Sequence, residues 1–328
     1  MQGHDIITVG ASAGGVEALL ATVRDLPADF PAALFAVVHT SPTRPSLLAD
    51  ILARVTRLQV AAALDGEPIE PGHIYVAPPD NHLLVASGFV RVVRGAKENG
   101  HRPAVDPLFR TAARVYGPRV VGVVLSGMRD CGTVGLQEVK RYGGIAVVQD
   151  PSDALFPGMP QSALDNVEVD HCVPLAGIPL LLDRLAREPA NAPKREPAAV
   201  SEEPERDFVC PECGGYLTRT QTGSVLSFGC KVGHRFSLES LEAEQAATLE
   251  TALWVALRAI EDSTALARRL AARSARANRE HARALYLERA CHGEIQAALV
   301  RKALLGGGQG ASPEEDTDGM NPPRRIKP

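Results

Sequence analysis

A serine flanked by glycines lies near the start of the chain, where a predicted strand passes into a predicted helix. Residues 10–14, Gly-Ala-Ser-Ala-Gly, fit the pattern G-x-S-x-G, in which a sharp turn lifts the serine hydroxyl above the end of the sheet. A phosphate-binding loop would need lysine where Val16 stands, and a dinucleotide-binding loop would need glycine in place of Ser12. The segment predicts that Ser12 is a nucleophile, with a purely structural glycine-rich turn as the alternative.

Two further residues that would activate a serine are predicted at the same edge of the sheet. His39 ends the second predicted strand, and a neutral imidazole there can take the serine proton near neutral pH. Asp130 follows the strand predicted at 120–125 and supplies a carboxylate that can orient the imidazole. Because ligands of doubly wound folds bind along the carboxyl ends of the strands, Ser12, His39 and Asp130 are predicted to form a catalytic triad.

Four residues in the second half of the chain have the spacing of a metal site. Cys210 and Cys213 are separated by two residues, and after sixteen further residues Cys230 is followed by three residues and His234. Thiolates and an imidazole at these spacings favour tetrahedral Zn²⁺, and four protein ligands leave no position for water or substrate. We therefore expect a structural zinc ion and no cofactor in catalysis. A redox-active Cys-x-x-Cys is the alternative, although the strand and helix context of that motif is missing.

Short apolar runs alternate with amphipathic stretches over residues 1–187. Because the runs are apolar throughout, they predict parallel strands that are covered on both faces, and hence an α/β domain with a doubly wound parallel sheet. The predicted strands are 6–9, 34–38, 120–125 and 145–149, with a β-rich middle at 73–77 and 83–93, and the predicted helices are 16–26, 47–57, 106–115, 132–142 and 178–187.

The rest of the chain has a different composition. Residues 188–207 hold four prolines among charges and predict a linker, and residues 208–237 form the Cys/His module. Residues 238–304 contain no proline and predict one or two long helices, whereas 305–328 are rich in glycine, proline and charge and are expected to be disordered. The helical region carries an apolar stripe that would pack within the chain, join a second copy or dock a receptor bundle.

The bulk composition limits the class of protein. The 328 residues are 45% hydrophobic and 23% charged with a formal net charge of −4, as in an ordinary soluble globular protein with two units. Nucleic acid is not an expected partner, and no stretch approaches the ~18 apolar residues of a membrane span. Only three of the six cysteines fall at metal-ligand spacing and the others are scattered, so we expect a reduced, cytoplasmic protein.

Six segments of residues 1–187 resemble the chemotaxis protein-glutamate methylesterase family. They are VGASAGG at 9–15, VH at 38–39, PGHIYVAP at 71–78, HRPAVD at 101–106, LSGM at 125–128 and FPGMP at 156–160. The resemblance implies hydrolysis of glutamate methyl esters on chemoreceptors, with deamidation of some glutamines, and it places the family serine on Ser12 and the family histidine on His39. Similar Cys-rich tails followed by helices occur behind some family members.

The third triad position departs from the family pattern. The family has aspartate directly before the glycine of G-M-x-x-D-G, where this chain has Cys131, and Asp130 lies one residue earlier. Asp130 would serve as a substitute, Cys131 would serve weakly, or activity would be impaired; we favour Asp130. Backbone N–H groups near Ala13 and Met128 are expected to hold the oxyanion. Arg102 and Asp106 are candidates for substrate contact, with a helix-capping ion pair as the alternative.

The resemblance also implies the partners. A methylated chemoreceptor would be the substrate, no membrane insertion is expected, and the C-terminal helices would allow a homo-oligomer. The chain starts at the catalytic domain, so the receiver domain that usually gates this family is not expected. If the change at Cys131 has removed turnover, the protein would instead be a methylesterase-like module that binds a receptor or signalling partner.

Overall fold

A computed structural model describes residues 3–41, 45–190, 202–203 and 208–306. Most of the predicted linker at 188–207 and nearly all of the predicted disordered tail at 305–328 lie outside these ranges. The chain divides into two compact units, residues 1–245 and 246–328. The Cys/His module is therefore part of the same unit as the α/β domain.

A parallel sheet forms the centre of the first unit. The strands of the α/β domain are β1 (Ile6–Ala11), β2 (Ala33–Val38), β3 (Gln59–Ala62), β4 (His73–Val76), β5 (His82–Val85), β6 (Val90–Val93), β7 (Val120–Val124), β8 (Ile145–Gln149) and β9 (His171–Val173). Strands β5 and β6 form a separate hairpin. The other seven pair in the order β3-β4-β2-β1-β7-β8-β9, and every pair is parallel. Strand β1 lies between β2 and β7, and because the three strands are parallel, the turns that follow them lie at the same edge of the sheet.

Helices cover both faces of this sheet. They are α1 (Gly15–Arg24), α2 (Leu48–Ala53), α3 (Val105–Tyr116), α4 (Thr133–Arg141), α5 (Gly158–Asn166) and α6 (Ile178–Arg187), with short 3₁₀ turns at Gly117–Arg119 and Leu175–Gly177. Neighbouring strand residues point to opposite faces: Ile6 packs in the core under α3, α4 and α5, and Ile7 packs in the core under α1, α2 and α6. The predicted doubly wound α/β fold is confirmed.

Within the α/β domain, one helix and two strands have no counterpart among the predicted elements. Helix α5 begins in a segment whose prolines and glycine indicate a loop, but Pro160 falls in its first turn, where a missing N–H costs no helical hydrogen bond. Strand β9 has only three residues and lies at the edge of the sheet, and β3 is half-exposed. The β-rich segment 83–93 is a hairpin because Gly88, with φ +84°, turns the chain.

The Cys/His module is a small antiparallel sheet. Its strands β10 (Glu202–Glu203), β11 (Leu217–Thr222), β12 (Val225–Cys230) and β13 (Arg235–Ser237) pair in sequence order. Five buried side chains form its core: Cys210, Leu217, Phe228, Phe236 and Leu241. So small a core is expected to need a metal ion or packing against a larger domain.

The second unit consists of helices. Helix α7 (Leu238–Arg276) starts at the end of the first unit, and α8 (Glu280–Gly306) follows after a turn at Asn278, with φ +51°. Within residues 246–306 the two helices run antiparallel, because Arg268 pairs with Glu294 at 2.5 Å and Arg301 pairs with Glu261. In the described part of the chain, no helix is both long and apolar enough to cross a membrane.

Candidate active site

The turn after β1 presents Ser12 at the carboxyl edge of the sheet. Gly14, with φ +67°, makes the left-handed turn from β1 into α1, and the Gly15 N–H donates to the carbonyl oxygen of Ser12 at 2.9 Å. The Ser12 N–H in turn donates to the carbonyl oxygen of Ser126 at 3.0 Å. The serine backbone is therefore fixed by the neighbouring loop, while its side chain is only partly buried.

His39 follows β2 and lies beside the serine. Its backbone N–H donates to the carbonyl oxygen of Ala11 at 3.3 Å, and its Nδ1 lies 3.1 Å from Ser12 Oγ. Burial of the ring, then the neighbouring His101 and then the charge of Arg129 lower the pKa of His39 to about 3. The imidazole is therefore neutral near neutral pH and can accept the serine proton, but it is a weak base as it stands.

One face of the His39 ring lies against another histidine. His101 stacks on it with the ring centroids 3.7 Å apart and the planes inclined by 19°. Among the described residues, His39 Nε2 is buried and has no hydrogen-bond partner. The group that would support the imidazolium in a triad is thus not in contact with the ring in this arrangement.

The two candidates for that group point elsewhere. The Asp130 carboxylate, only 5% exposed, accepts a hydrogen bond from the Ser240 hydroxyl at 2.7 Å. Cys131 Sγ lies 3.8 Å from Asp106 Oδ2, and burial followed by the charge of Asp106 raises the pKa of the Cys131 thiol well above its usual value. A neutral thiol cannot stabilise an imidazolium as a carboxylate would.

Asp106 is a buried hub next to this loop. Its Oδ1 accepts from the N–H groups of Gly132 at 3.1 Å and Gly135 at 2.6 Å, and therefore caps the start of α4. Burial and then the charge of Glu98 raise the pKa of Asp106 to about 6. Arg102, its proposed companion, instead donates to Asp80 at 2.6 Å. Asp106 therefore caps a helix, as the alternative expected, but it forms no ion pair with Arg102.

Backbone donors and apolar side chains surround Ser12. No hydrogen bond between described residues uses the backbone N–H of Ala13 or Met128, so both are free for an oxyanion. Gly127 approaches the serine so closely that a Cβ there would lie 3.0 Å from Ser12 Cβ and 2.1 Å from Met159 Sδ. The side chains of Met128 and Leu155 are exposed by 60% and 71% and form an apolar rim near this site.

The four predicted metal ligands come together in the Cys/His module. The ligand atoms of Cys210, Cys213, Cys230 and His234 all lie within 4.8 Å of one another and could hold a metal ion. Gly214, with φ +71°, makes the turn after the first pair. Burial raises the pKa of Cys230, but hydrogen bonds with His234, Cys213 and the Val232 backbone together outweigh it and lower this pKa to about 6. The cluster offers the soft donors that zinc prefers.

Four residues near the site were not singled out by the sequence patterns. Ser240 holds Asp130, Glu244 pairs with Arg129 at 3.1 Å, His101 stacks on His39, and Asn99 donates to Asp106 Oδ2 at 2.8 Å. Ser240 and Glu244 are more than 100 positions from their partners, and no local spacing signals such contacts. His101 is the first residue of the HRPAVD segment and Asn99 lies two positions before it, so that segment could have drawn attention to both.

A doubly wound sheet with a serine and a histidine side by side at its carboxyl edge is typical of the hydrolase class. Residues 7–182 match the model of the CheB methylesterase family, and the chain belongs to this family.

Similar proteins support this assignment. A protein-glutamate methylesterase/protein-glutamine glutaminase 2 of Anaeromyxobacter dehalogenans is 38% identical over 183 residues, 56% of this chain and 54% of that protein. One of the same name from Pseudomonas aeruginosa is 40% identical over 187 residues, 56% of this chain and 53% of that protein. The chain thus spans about half the length of these curated relatives. The crystal structure of the Thermotoga maritima CheB methylesterase catalytic domain is 35% identical, with a TM-score of 0.54, and matches over 56% of this chain and 100% of that one.

Proposed function

We propose that residues 1–187 hydrolyse the γ-methyl esters of glutamate side chains on a methylated chemoreceptor and release methanol. The observation that carries this proposal is the 3.1 Å separation between Ser12 Oγ and His39 Nδ1, inside a domain of the methylesterase family. Relatives are named for both methyl ester hydrolysis and glutamine deamidation. The same site would act on glutamine by releasing ammonia instead of methanol.

The proposed reaction has two halves. Ser12 Oγ attacks the ester carbonyl while His39 takes the hydroxyl proton, and the N–H groups of Ala13 and Met128 hold the negative oxygen of the tetrahedral intermediate. The C–O bond to the methoxy group breaks, and His39 returns the proton to release methanol. Water then attacks the acyl-serine with His39 again as base, which frees the glutamate carboxylate and restores Ser12.

We propose Asp130 as the third member of the triad, acting when its carboxylate leaves Ser240. It is the carboxylate adjacent to the family position, and Cys131 itself carries a neutral, buried thiol. The unpartnered Nε2 of His39 also favours a second candidate function, in which the domain binds a receptor or signalling partner without turnover. The two candidates differ in whether Ser12 matters for the chemistry.

We propose that Cys210, Cys213, Cys230 and His234 hold a structural Zn²⁺. Zn–S bonds of about 2.3 Å in a tetrahedron separate ligand atoms by about 3.7 Å. Cys213 Sγ and Cys230 Sγ are 3.7 Å apart, and Cys210 Sγ and His234 Nδ1 are also 3.7 Å apart. Four protein ligands leave no open position, so the metal takes no part in ester hydrolysis.

We further propose that the protein acts in the cytoplasm and that its C-terminal helices join a second copy. None of the six cysteines forms a disulfide, which fits a reducing compartment. The helices of the second unit expose apolar side chains such as Leu249, Val255 and Leu299. Light scattering on the full chain tests the second point, because a monomer at micromolar concentration contradicts it.

The experiment that decides the main proposal measures methanol released from a methylated chemoreceptor by the purified full chain. Release by the wild type but not by Ser12→Ala supports the enzyme. If neither form releases methanol and both bind the receptor equally, the esterase proposal is wrong and the binding function is favoured. Deamidation is tested with the same two proteins, wild type and Ser12→Ala, by using mass spectrometry to detect conversion of receptor glutamines to glutamates.

A further inference from the structure

The Cys/His cluster is connected to the catalytic histidine through a short segment of the α/β domain. The ligand His234 is followed by Arg235, whose N–H donates to the carbonyl oxygen of Lys97 at 3.4 Å and whose carbonyl oxygen accepts from the Asn99 N–H at 2.8 Å. Lys97 also pairs with Glu212, between the ligands Cys210 and Cys213, at 2.8 Å. Residues 97–99 therefore lie beside β13 as an additional strand would.

Asn99 fixes this junction on both sides. Its Oδ1 accepts from the N–H and the hydroxyl of Ser237, at 2.9 Å and 3.2 Å, and its Nδ2 donates to Asp106 Oδ2 at 2.8 Å. Asn99 is 3% exposed and has φ +52°, a backbone conformation that asparagine tolerates better than most residues. A buried amide with all these partners satisfied fixes the module and the domain in one arrangement.

The junction continues directly into the active site. Glu98 and His101 exchange backbone hydrogen bonds of 3.2 Å and 2.9 Å, so residues 98–101 form one tight turn. The last residue of that turn, His101, carries the ring that stacks on His39 at 3.7 Å. Asp106, the other partner of Asn99, caps the helix that follows the loop of Asp130 and Cys131. The ring that stacks on His39 and the loop that carries Asp130 and Cys131 are thus both tied to Asn99.

We propose that metal binding by the Cys/His cluster positions the catalytic histidine, with Asn99 and the 98–101 turn as the positioning element. The inference rests on the proposed function, both for the zinc ion and for the esterase. With the metal bound, the loop from Cys230 to His234 is fixed and holds Arg235 and Ser237 in register with Asn99. Without the metal this register loosens, His101 no longer confines the His39 ring, and the distance from His39 to Ser12 is no longer maintained.

The test compares the zinc-loaded full chain with the chain after chelation and with Cys213→Ser. Zinc content, methanol release and the imidazole NMR signals of His39 and His101 are measured on each. We expect one zinc per chain in the wild type, and loss of zinc should lower kcat by about 10-fold or more with little change in KM, as for other supporting residues of a site. The His39 and His101 signals should shift or broaden together.

Two variants separate positioning from folding. Asn99→Ala should keep its zinc but lose kcat and change the pH profile of kcat/KM, because the ring of His39 is no longer confined. Ser237→Ala removes only the 3.2 Å bond and should show a smaller loss in the same direction. Ser224→Ala is the matched control: it breaks the 2.7 Å bond from the module to the Asn166 carbonyl oxygen, which does not lead to Asn99, and should behave as wild type.

Several outcomes overturn the proposal. The proposal is wrong if the wild-type chain binds no zinc. It is also wrong if removal of zinc, or the substitution Asn99→Ala, leaves kcat, the pH profile and the histidine signals unchanged. If no form releases methanol at all, the esterase has failed, and the histidine signals then decide alone. Unchanged signals on zinc removal in that case reject the coupling as well.

Discussion

Ser12 and Asp130, the two proposed partners of His39, are held in different ways. On the Ser12 side, the side-chain contact lies between turns that directly follow the adjacent strands β1 and β2, whose register sets the distance of 3.1 Å. On the Asp130 side, the loop after β7 contributes Asp130 and Cys131, and α7 contacts this loop through Ser240, which donates to the Asp130 carboxylate, and Glu244, which pairs with Arg129. The proposed nucleophile and base are thus fixed by the sheet itself, whereas the position of the proposed acid depends on residues far along the chain.

The largest effect is expected on the side fixed by the sheet. Ser12→Ala should lower methanol release by about 10⁴-fold or more, since a nucleophile and its base act as one unit. His39→Ala should cost a similar factor, and the double variant should lose no more than either single one. Additive losses in a double-variant cycle would show that the two residues do not act together.

The next effect concerns the acid. Asp130→Asn keeps the shape of the side chain but removes the charge that supports the imidazolium, and should lower kcat/KM by about 10³-fold to 10⁴-fold. Asp183→Asn, a surface carboxylate on α6 paired with Arg187, is the control and should be neutral. Cys131→Asp places a carboxylate at the family position. A gain above about tenfold there, with Asp130→Asn unchanged, would reject Asp130 as the acid.

The pH dependence tests how isolated the His39 ring is. Its pKa of about 3 in the folded chain lies below the value near 6.5 in the unfolded chain, so the unfolded chain binds the proton more readily between these two values. His39 therefore costs no stability above about pH 6.5 and destabilises progressively as the pH falls, by about 1.4 kcal/mol for each pH unit.

Urea unfolding of wild type and His39→Gln across the acid range measures this difference directly. The wild type should lose stability relative to His39→Gln as the solution becomes more acidic. If the free energy of unfolding of the two proteins falls equally with pH, a carboxylate already stabilises the protonated ring of His39 and offsets the effect of its burial on the pKa. The acidic limb of kcat/KM should correspondingly lie well below pH 6.5.

The smallest effect is expected at the hydroxyl that holds the acid. Ser240→Ala removes the 2.7 Å bond to Asp130 and should raise kcat/KM by about threefold to tenfold, as expected when a single hydrogen bond is lost. Ser152→Ala removes an exposed hydroxyl that donates to Asp150 and serves as the control. A decrease in Ser240→Ala would mean that Ser240 supports the active loop instead of restraining it.

The same division explains what the sequence could predict. The parallel sheet follows from continuous apolar strands, and the proximity of Ser12 and His39 follows from their places at the ends of β1 and β2. The metal cluster follows from the spacing of Cys210, Cys213, Cys230 and His234, because local turns set those distances. The contacts of Asp130 with Ser240 and of Asn99 with Ser237 join segments more than 100 positions apart, and nothing in their local patterns specifies them.

Gly127 restricts which residues can stand beside Ser12. Its backbone is not in the left-handed region, so alanine would meet no conformational strain there, yet a single added methyl group would reach both Ser12 and Met159. Gly66 and Gly88 have no atom within 4 Å of such a group. The space beside Ser12 therefore depends on the missing side chain of Gly127, and steric exclusion alone opposes any larger residue at this position.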